Sequence, residues 1–216
     1  MSDLGTLTPS SGALTFFNDD EARTVEAFAE RIIPDDGNGA GARGAGVVYY
    51  IDRALSGFSS ELQPVYRLGL KELDHFSRRE TGQPFVELDT DQQDDLVRQL
   101  IGPETGDATE GLQFSRSDQE RGVADDGSVD TTLLQRVAAI IREHTVEGFF
   151  CDPVYGGNRN AVGWKLVGFA GAHWGYTAQQ MAAGFDGRTV PIKTLADLRS
   201  ELANLPDNST FYRNGE

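Results

Sequence analysis

TTLLQRVAAIIREHTVEG, residues 131–148, places Leu134, Val137, Ala138, Ile141 and Thr145 at the three- and four-residue spacing of one helical face. The same period recurs upstream. In NDDEARTVEAFAERIIP, Asn18 is a helix cap with Glu21 at the capping-box position, Asp19 and Asp20 suit the positive end of the dipole, and Pro34 stops the run. Val25, Phe28, Ala29 and Ile32 make its apolar stripe. VVYYIDRAL reads as strand or helix, and the spacing of Val47, Tyr50, Ile51, Ala54 and Leu55 favours helix.

SSELQPVYRLGLKELDHFSRRETG predicts a further helix, with Leu62, Val65, Tyr66, Gly69, Leu73 and Phe76 on one face and Gly82 as its stop. TDQQDDLVRQLIG begins with Thr90 and Gln93 in capping-box spacing. Short helices are expected at TAQQMAAGF and TLADLRSELANL. No convincing run of alternating strands competes, so the chain is expected to be all-α. Its organisation reads as a flexible N-terminus over 1–15 and a single helical domain over 16–216. Residues 103–130 are polar, acidic and aperiodic, and read as a mobile loop insertion.

The 216 residues carry 34 carboxylates against three lysines and sixteen arginines, a formal net charge of -15. Nucleic acid and anionic membranes would repel such a surface. An acid-rich, lysine-poor surface stays solvated at high salt, which suggests a halophilic source; an ordinary acidic surface is the plainer reading. No apolar run approaches the roughly 20 residues that span a bilayer. The N-terminus shows no basic region, twin arginine or apolar segment, so a cytoplasmic chain is expected.

Conventional chemical motifs fail on context. Gly39-Ala40-Gly41-Ala42-Arg43-Gly44 matches G-x-G-x-x-G, but a helix precedes it where a dinucleotide site needs a strand. His75, His144 and His173 are too scattered for a zinc site. His144 falls on the apolar face of its helix and reads as a hydrogen-bonded core or edge histidine, with catalysis as the other reading. No cofactor or metal ligand set is expected in this chain.

The stretch HTVEGFFCDPVYGGNRNAVGWKLVGFAG, residues 144–171, packs aromatics, glycines and amides into what reads as an irregular but ordered loop. Pro153 and the Gly156-Gly157 pair permit a tight path, and Asp152 and Asn158 can bond its backbone. Phe149, Phe150, Tyr155 and Trp164 offer either rigid anchors for a partner or ordinary core filling. Cys151, the only cysteine, is either a small buried hydrophobe or an intersubunit disulfide partner.

This stretch resembles the signature of the gluconate 2-dehydrogenase subunit 3 family. The resemblance is carried by Gly148, Phe149, Asp152, Pro153, Tyr155, Gly156, Gly157, Asn158, Gly163, Trp164, Gly168 and Gly171, and by the blocks EARTVEAFAERIIPDD and GAGVVYYIDRAL. It implies a non-catalytic accessory subunit whose partner is a large FAD-binding subunit of the glucose-methanol-choline type, acting on a sugar or polyol. It also implies support of that subunit's maturation, and electron transfer through the complex to a cytochrome c or another acceptor. Many relatives carry a twin-arginine signal, which this chain lacks; export through the partner is the alternative to a cytoplasmic location. The expected docking residues are Phe149, Asp152, Pro153, Tyr155, Gly156, Gly157, Asn158, Arg159 and Trp164. Two other functions stay open: a stand-alone enzyme using His144 or Asp152, and a free assembly factor that releases the flavoprotein after folding.

Overall fold

A computed structural model describes residues 13–37, 41–102 and 129–204. Seven α-helices are described: α1 Asp19–Ile32, α2 Val47–Ser56, α3 Gln63–Thr81, α4 Thr90–Ile101, α5 Thr131–Phe150, α6 Val162–Val167 and α7 Leu195–Ala203. Among the described residues the only β feature is an isolated bridge between Gly171 and Lys193. The all-α expectation holds.

α5 is the axis of the molecule and packs against α1, α2, α3, α4 and α6. Leu134, Val137, Ala138, Ile140, Ile141, Thr145 and Phe149 are all buried on it. A helix surrounded by partners is apolar over much of its circumference, which explains why its residues recur on more than one face. The α3 crossing is closest at Gly69, where an added Cβ would lie 2.5 Å from Val137 Cβ. Glycine inside a helix costs about 1 kcal/mol relative to alanine, and here that cost permits the contact with α5.

The helix termini follow local sequence. Asn18 and Glu21 form the reciprocal capping box, and Gly82 closes α3 in the left-handed conformation at φ +83°. The box of α4 lies one residue earlier than the spacing suggested: Asp89 caps it and Gln92 reaches back. Thr90 is already helical, and Gln93 is buried, its amide donating to the Phe85 carbonyl. α7 forms as expected, but TAQQMAAGF does not form a helix. Thr177 and Gln180 exchange hydrogen bonds like a capping box, yet only turns come after them. Met181 is exposed, so no tertiary burial supports propagation beyond that first turn.

Buried carboxylates fasten the irregular connections. Both oxygens of Asp52 on α2 collect backbone N–H groups from Thr15, Phe16 and Phe17 at 2.7–2.9 Å, with the Thr15 hydroxyl as a further donor. The chain is therefore tied to α2 just before α1 begins. Glu30 accepts from Asp35 N at 3.0 Å and Arg43 N at 2.7 Å, holding the α1–α2 connection. Glu72 accepts from Asp130 N at 3.2 Å at the entry to α5. A carboxylate has acceptor capacity at both oxygens and forms charge-assisted bonds about twice as strong as neutral ones. The expected insertion at 103–130 lies outside the described residues except at Val129 and Asp130.

Gly69→Ala is expected to lower unfolding stability by about 2 kcal/mol through overpacking against Val137. Helix propensity alone predicts a gain of about 1 kcal/mol. The sign of the change in denaturant midpoint distinguishes the two.

Candidate functional site

A helix leaves its last carbonyls without intrahelical donors. At the end of α5 the segment from Cys151 to Trp164 folds back to supply them. Asn158 N donates to Gly148 O at 2.8 Å. The Asn158 amide donates to Cys151 O at 2.7 Å and accepts from Gly163 N at 2.8 Å. Trp164 Nε1 donates to Phe150 O at 2.7 Å. The residues expected to be one irregular loop are thus two helices joined by a capping structure: α5 runs through Phe150, and α6 occupies Val162–Val167.

The glycines of this stretch are explained by the close return. A Cβ on Gly157 would stand 2.1 Å from Gly148 O, and one on Gly163 would stand 2.1 Å from Phe149 O. Gly156 has φ +106°, a conformation that L side chains rarely adopt. Asn158, Asn160 and Ala161 also have positive φ, at 43°, 58° and 54°. Asparagine tolerates this region, whereas Ala161 carries a cost of about 1–2 kcal/mol. The hydrogen bonds around Asn158 hold that strained path in place.

Asp152 joins this cap to the C-terminal helix. Its Oδ1 accepts from Val154 N at 3.0 Å and its Oδ2 accepts from Leu195 N, in the first turn of α7, at 2.8 Å. Residues near α2 close the other side. Gly148 packs on the Tyr50 ring, Gly156 on Arg53, and Arg159 lies over Tyr49 with its N–H on Ala45 O. The 44–55 block and the 148–171 stretch, which carry the resemblance separately in sequence, meet here.

The expected docking residues divide sharply. Phe149, Asp152, Asn158 and Trp164 are buried, with the polar atoms of the last three committed as above. Pro153 and Gly156 are half-buried and Gly157 is buried. Only Tyr155 and Arg159 reach the surface as exposed side chains. The reading of Asp152 and Asn158 as groups that bond the turn backbone is met at Val154 N, Cys151 O and Gly163 N, whereas the bonds of Asp152 to Leu195 N and of Trp164 to Phe150 O were missed because those partners are defined only by the folded path.

His144 lies inside the core beside Tyr66, its Nδ1 2.9 Å from the phenol oxygen and the two rings stacked. Burial lowers the histidine pKa against the opposing pull of Glu143 and Glu61. Tyr66 is raised well above its ordinary value, first by burial and then by Glu147 and Glu143. Donation from the phenol to a neutral imidazole satisfies both groups. His144 and Tyr66 therefore form a structural pair. Cys151 is half-buried, with Sγ 3.4 Å from Gly148 O and its thiol pushed up to about 12, chiefly by burial. It is a poor thiolate at neutral pH.

The G-x-G-x-x-G stretch is described only from Gly41. There, Arg43 N is directed at the Glu30 carboxylate, and an added Cβ on Gly41 would meet Glu30 Oε1 at 2.5 Å. A side-chain carboxylate already occupies the anionic position that a nucleotide phosphate would need. Among the described residues no group of three or more His, Cys, Asp or Glu is arranged to hold a metal ion. None of the described helices is long and apolar enough to cross a membrane.

A helical chain with its central helix capped by a Gly-Gly-Asn turn and an indole is the class of protein these observations define. The family model for gluconate 2-dehydrogenase subunit 3 matches residues 19–171, and the chain belongs to that family. Comparison with curated proteins and with solved structures returned no match.

Asn158→Ala is expected to cost about 2–4 kcal/mol in unfolding stability, because it strands a buried donor at Gly163 N and a partly buried acceptor at Cys151 O. Exposed Tyr155→Ala should stay within about 0.5 kcal/mol of wild type. Urea titration of both variants checks the contrast.

For His144, lowering of the folded pKa means that the unfolded chain binds the proton first as pH falls below about 6.5. Its contribution is therefore present at pH 7 and lost on acidification through the folded pKa. His144→Gln should lose less stability than wild type between pH 7 and pH 5, measured by thermal melts at fixed ionic strength.

Proposed function

We propose that this chain is a non-catalytic accessory subunit of a flavin-dependent sugar or polyol dehydrogenase, supporting folding and stability of the large FAD-binding subunit. The observation that carries this reading is the internal commitment of the family stretch. Asp152, Asn158 and Trp164, its most chemically capable residues, all satisfy the subunit's own backbone. Membership in a family described as a dehydrogenase subunit supports a larger partner.

The enzyme alternative loses its two named groups. His144 is held by Tyr66 in the core, and both Asp152 oxygens already accept backbone hydrogen bonds. A general base must reach the proton that it abstracts, and neither group is disposed to do so. Under this reading the flavin, the alcohol oxidation and the onward electron transfer to a cytochrome c or another acceptor all reside in the partner subunits. The accessory chain contributes a rigid helical surface, and its location is that of the complex.

The purified chain alone is expected to show no flavin absorbance and no dehydrogenase activity. Co-expression with the large flavoprotein should give a stable complex and increase the yield of soluble, FAD-loaded large subunit. Flavin bound tightly to the isolated chain would overturn the proposal, as would full maturation of the flavoprotein without it.

A further inference from the structure

We propose that the exposed apolar stretch of Leu166, Val167, Phe169, Trp174 and Tyr176 is where this subunit docks the large dehydrogenase subunit, a proposal that rests on the accessory-subunit reading. All five side chains are exposed; Leu166 and Trp174 are 60% and 67% accessible. Seven of the eleven exposed large hydrophobics among the described residues fall between Tyr155 and Met181. Scattered exposed apolar residues need no explanation, but a concentration of aromatic and aliphatic side chains marks an interaction surface.

Charge distribution points to the occupant. At the chain's own average, a stretch as long as 153–185 would hold about five carboxylates, yet it holds none. Its ionisable cations are Arg159 and Lys165, with His173 between the exposed aromatics. Depletion of charge together with enrichment in Trp, Tyr, Phe and Met characterises the core of protein interfaces. The surrounding carboxylates are engaged: Asp152 turns inward to Leu195 N, Asp186 accepts from Arg188 N, and Glu201 pairs with Lys193 and Trp174 Nε1. A chain of net charge -15 thus presents an exposed apolar stretch with Lys165 within it and the Arg188 side chain 3.1 Å from where a Gly168 Cβ would stand. The complementary surface is apolar with carboxylates at its rim, and we assign it to the large subunit. In a two-fold dimer of this chain the same surface would meet itself, setting Lys165 and Arg188 against like charge in place of a carboxylate rim.

The face is also held in shape. Phe169 packs edge-on against Trp164, whose indole is bonded to Phe150 O. Ala172 N donates to Lys193 O and Lys193 N donates to Ala170 O, joining the segment to the approach to α7. Tyr176 bonds Gly171 O and packs against His173. Such preorganisation reduces the ordering cost of association.

The test uses the full chain co-expressed with a tagged large subunit, and then affinity measurement on the purified partners. Leu166→Asp and Trp174→Asp should each weaken the complex at least about tenfold, with Leu166→Lys less damaging than Leu166→Asp. Phe58→Asp, at an exposed apolar position outside this stretch, should bind as wild type. Trp174→Ser removes the ring without adding charge, and thermal melts of every isolated variant verify folding. Wild-type binding retained by folded Leu166→Asp and Trp174→Asp would overturn the docking face while leaving the accessory reading intact. Failure of the wild-type chain to associate at all would overturn both. Sedimentation showing a homodimer broken by these substitutions, with the heterocomplex unaffected, would assign the face to self-association and overturn the proposal.

Discussion

The carbonyls at the end of α5 set a constraint on which the rest of the structure depends. α5 is the helix against which the others pack, and its last turn lies where backbone acceptors would otherwise be stranded at the edge of the core. Unsatisfied buried carbonyls cost about 1–3 kcal/mol each. The chain answers with Asn158 and Trp164, which reach Gly148 O, Cys151 O and Phe150 O. For those donors to arrive, the backbone must turn back within touching distance of the helix. The glycines at 157 and 163 permit this approach, and the left-handed residues at 158, 160 and 161 are its conformational cost.

From that cap the order spreads in two directions. Asp152 carries it to α7, and Arg159 with Gly148 carries it to α2. The same device operates elsewhere, because Asp52 and Glu30 gather several backbone N–H groups, and Glu72 one, from otherwise irregular connections. Part of the acidic excess is therefore structural. A carboxylate bonded in this way adds stability that would be lost if its donors were left unpaired. Other described acids, among them Asp19, Asp20, Asp91 and Asp95, lie exposed, and against that background the carboxylate-free stretch of 153–185 stands out.

Capping a helix and recognising a partner place different physical demands on a residue. A hot-spot anchor must leave solvent when a partner arrives, whereas Phe149 and Trp164 have already left it when this chain folds. The folded stretch instead positions its C-terminal neighbours. α6 and the segment to Tyr176 are carried on the Trp164 anchor, and Leu166, Val167, Phe169, Trp174 and Tyr176 on them are exposed. A structural signature and a binding surface can thus be adjacent without being the same residues.

Helical class, the α1 capping box and the termination of α3 at Gly82 were legible in sequence because each depends on contacts within a few residues. The family was legible for another reason: the Asp-Pro-x-Tyr-Gly-Gly-Asn run is a fixed local order of residue types. What that run accomplishes was legible only as a tight, backbone-bonded turn. Asp152 reads equally as a turn residue, an acid or a surface group until Leu195 is brought 2.8 Å from it across 43 residues. His144 likewise reads as core or catalyst until Tyr66, 78 residues away, occupies its Nδ1. Residues 177–185 show the converse, since a helix-compatible sequence remains turns without a surface against which to pack. Sequence by itself determined the helical period, the local caps and the family of this protein. Only tertiary structure decided which polar groups were committed to the fold and which apolar ones were left facing solvent, because hydrogen-bond partners and burial are properties of the folded path.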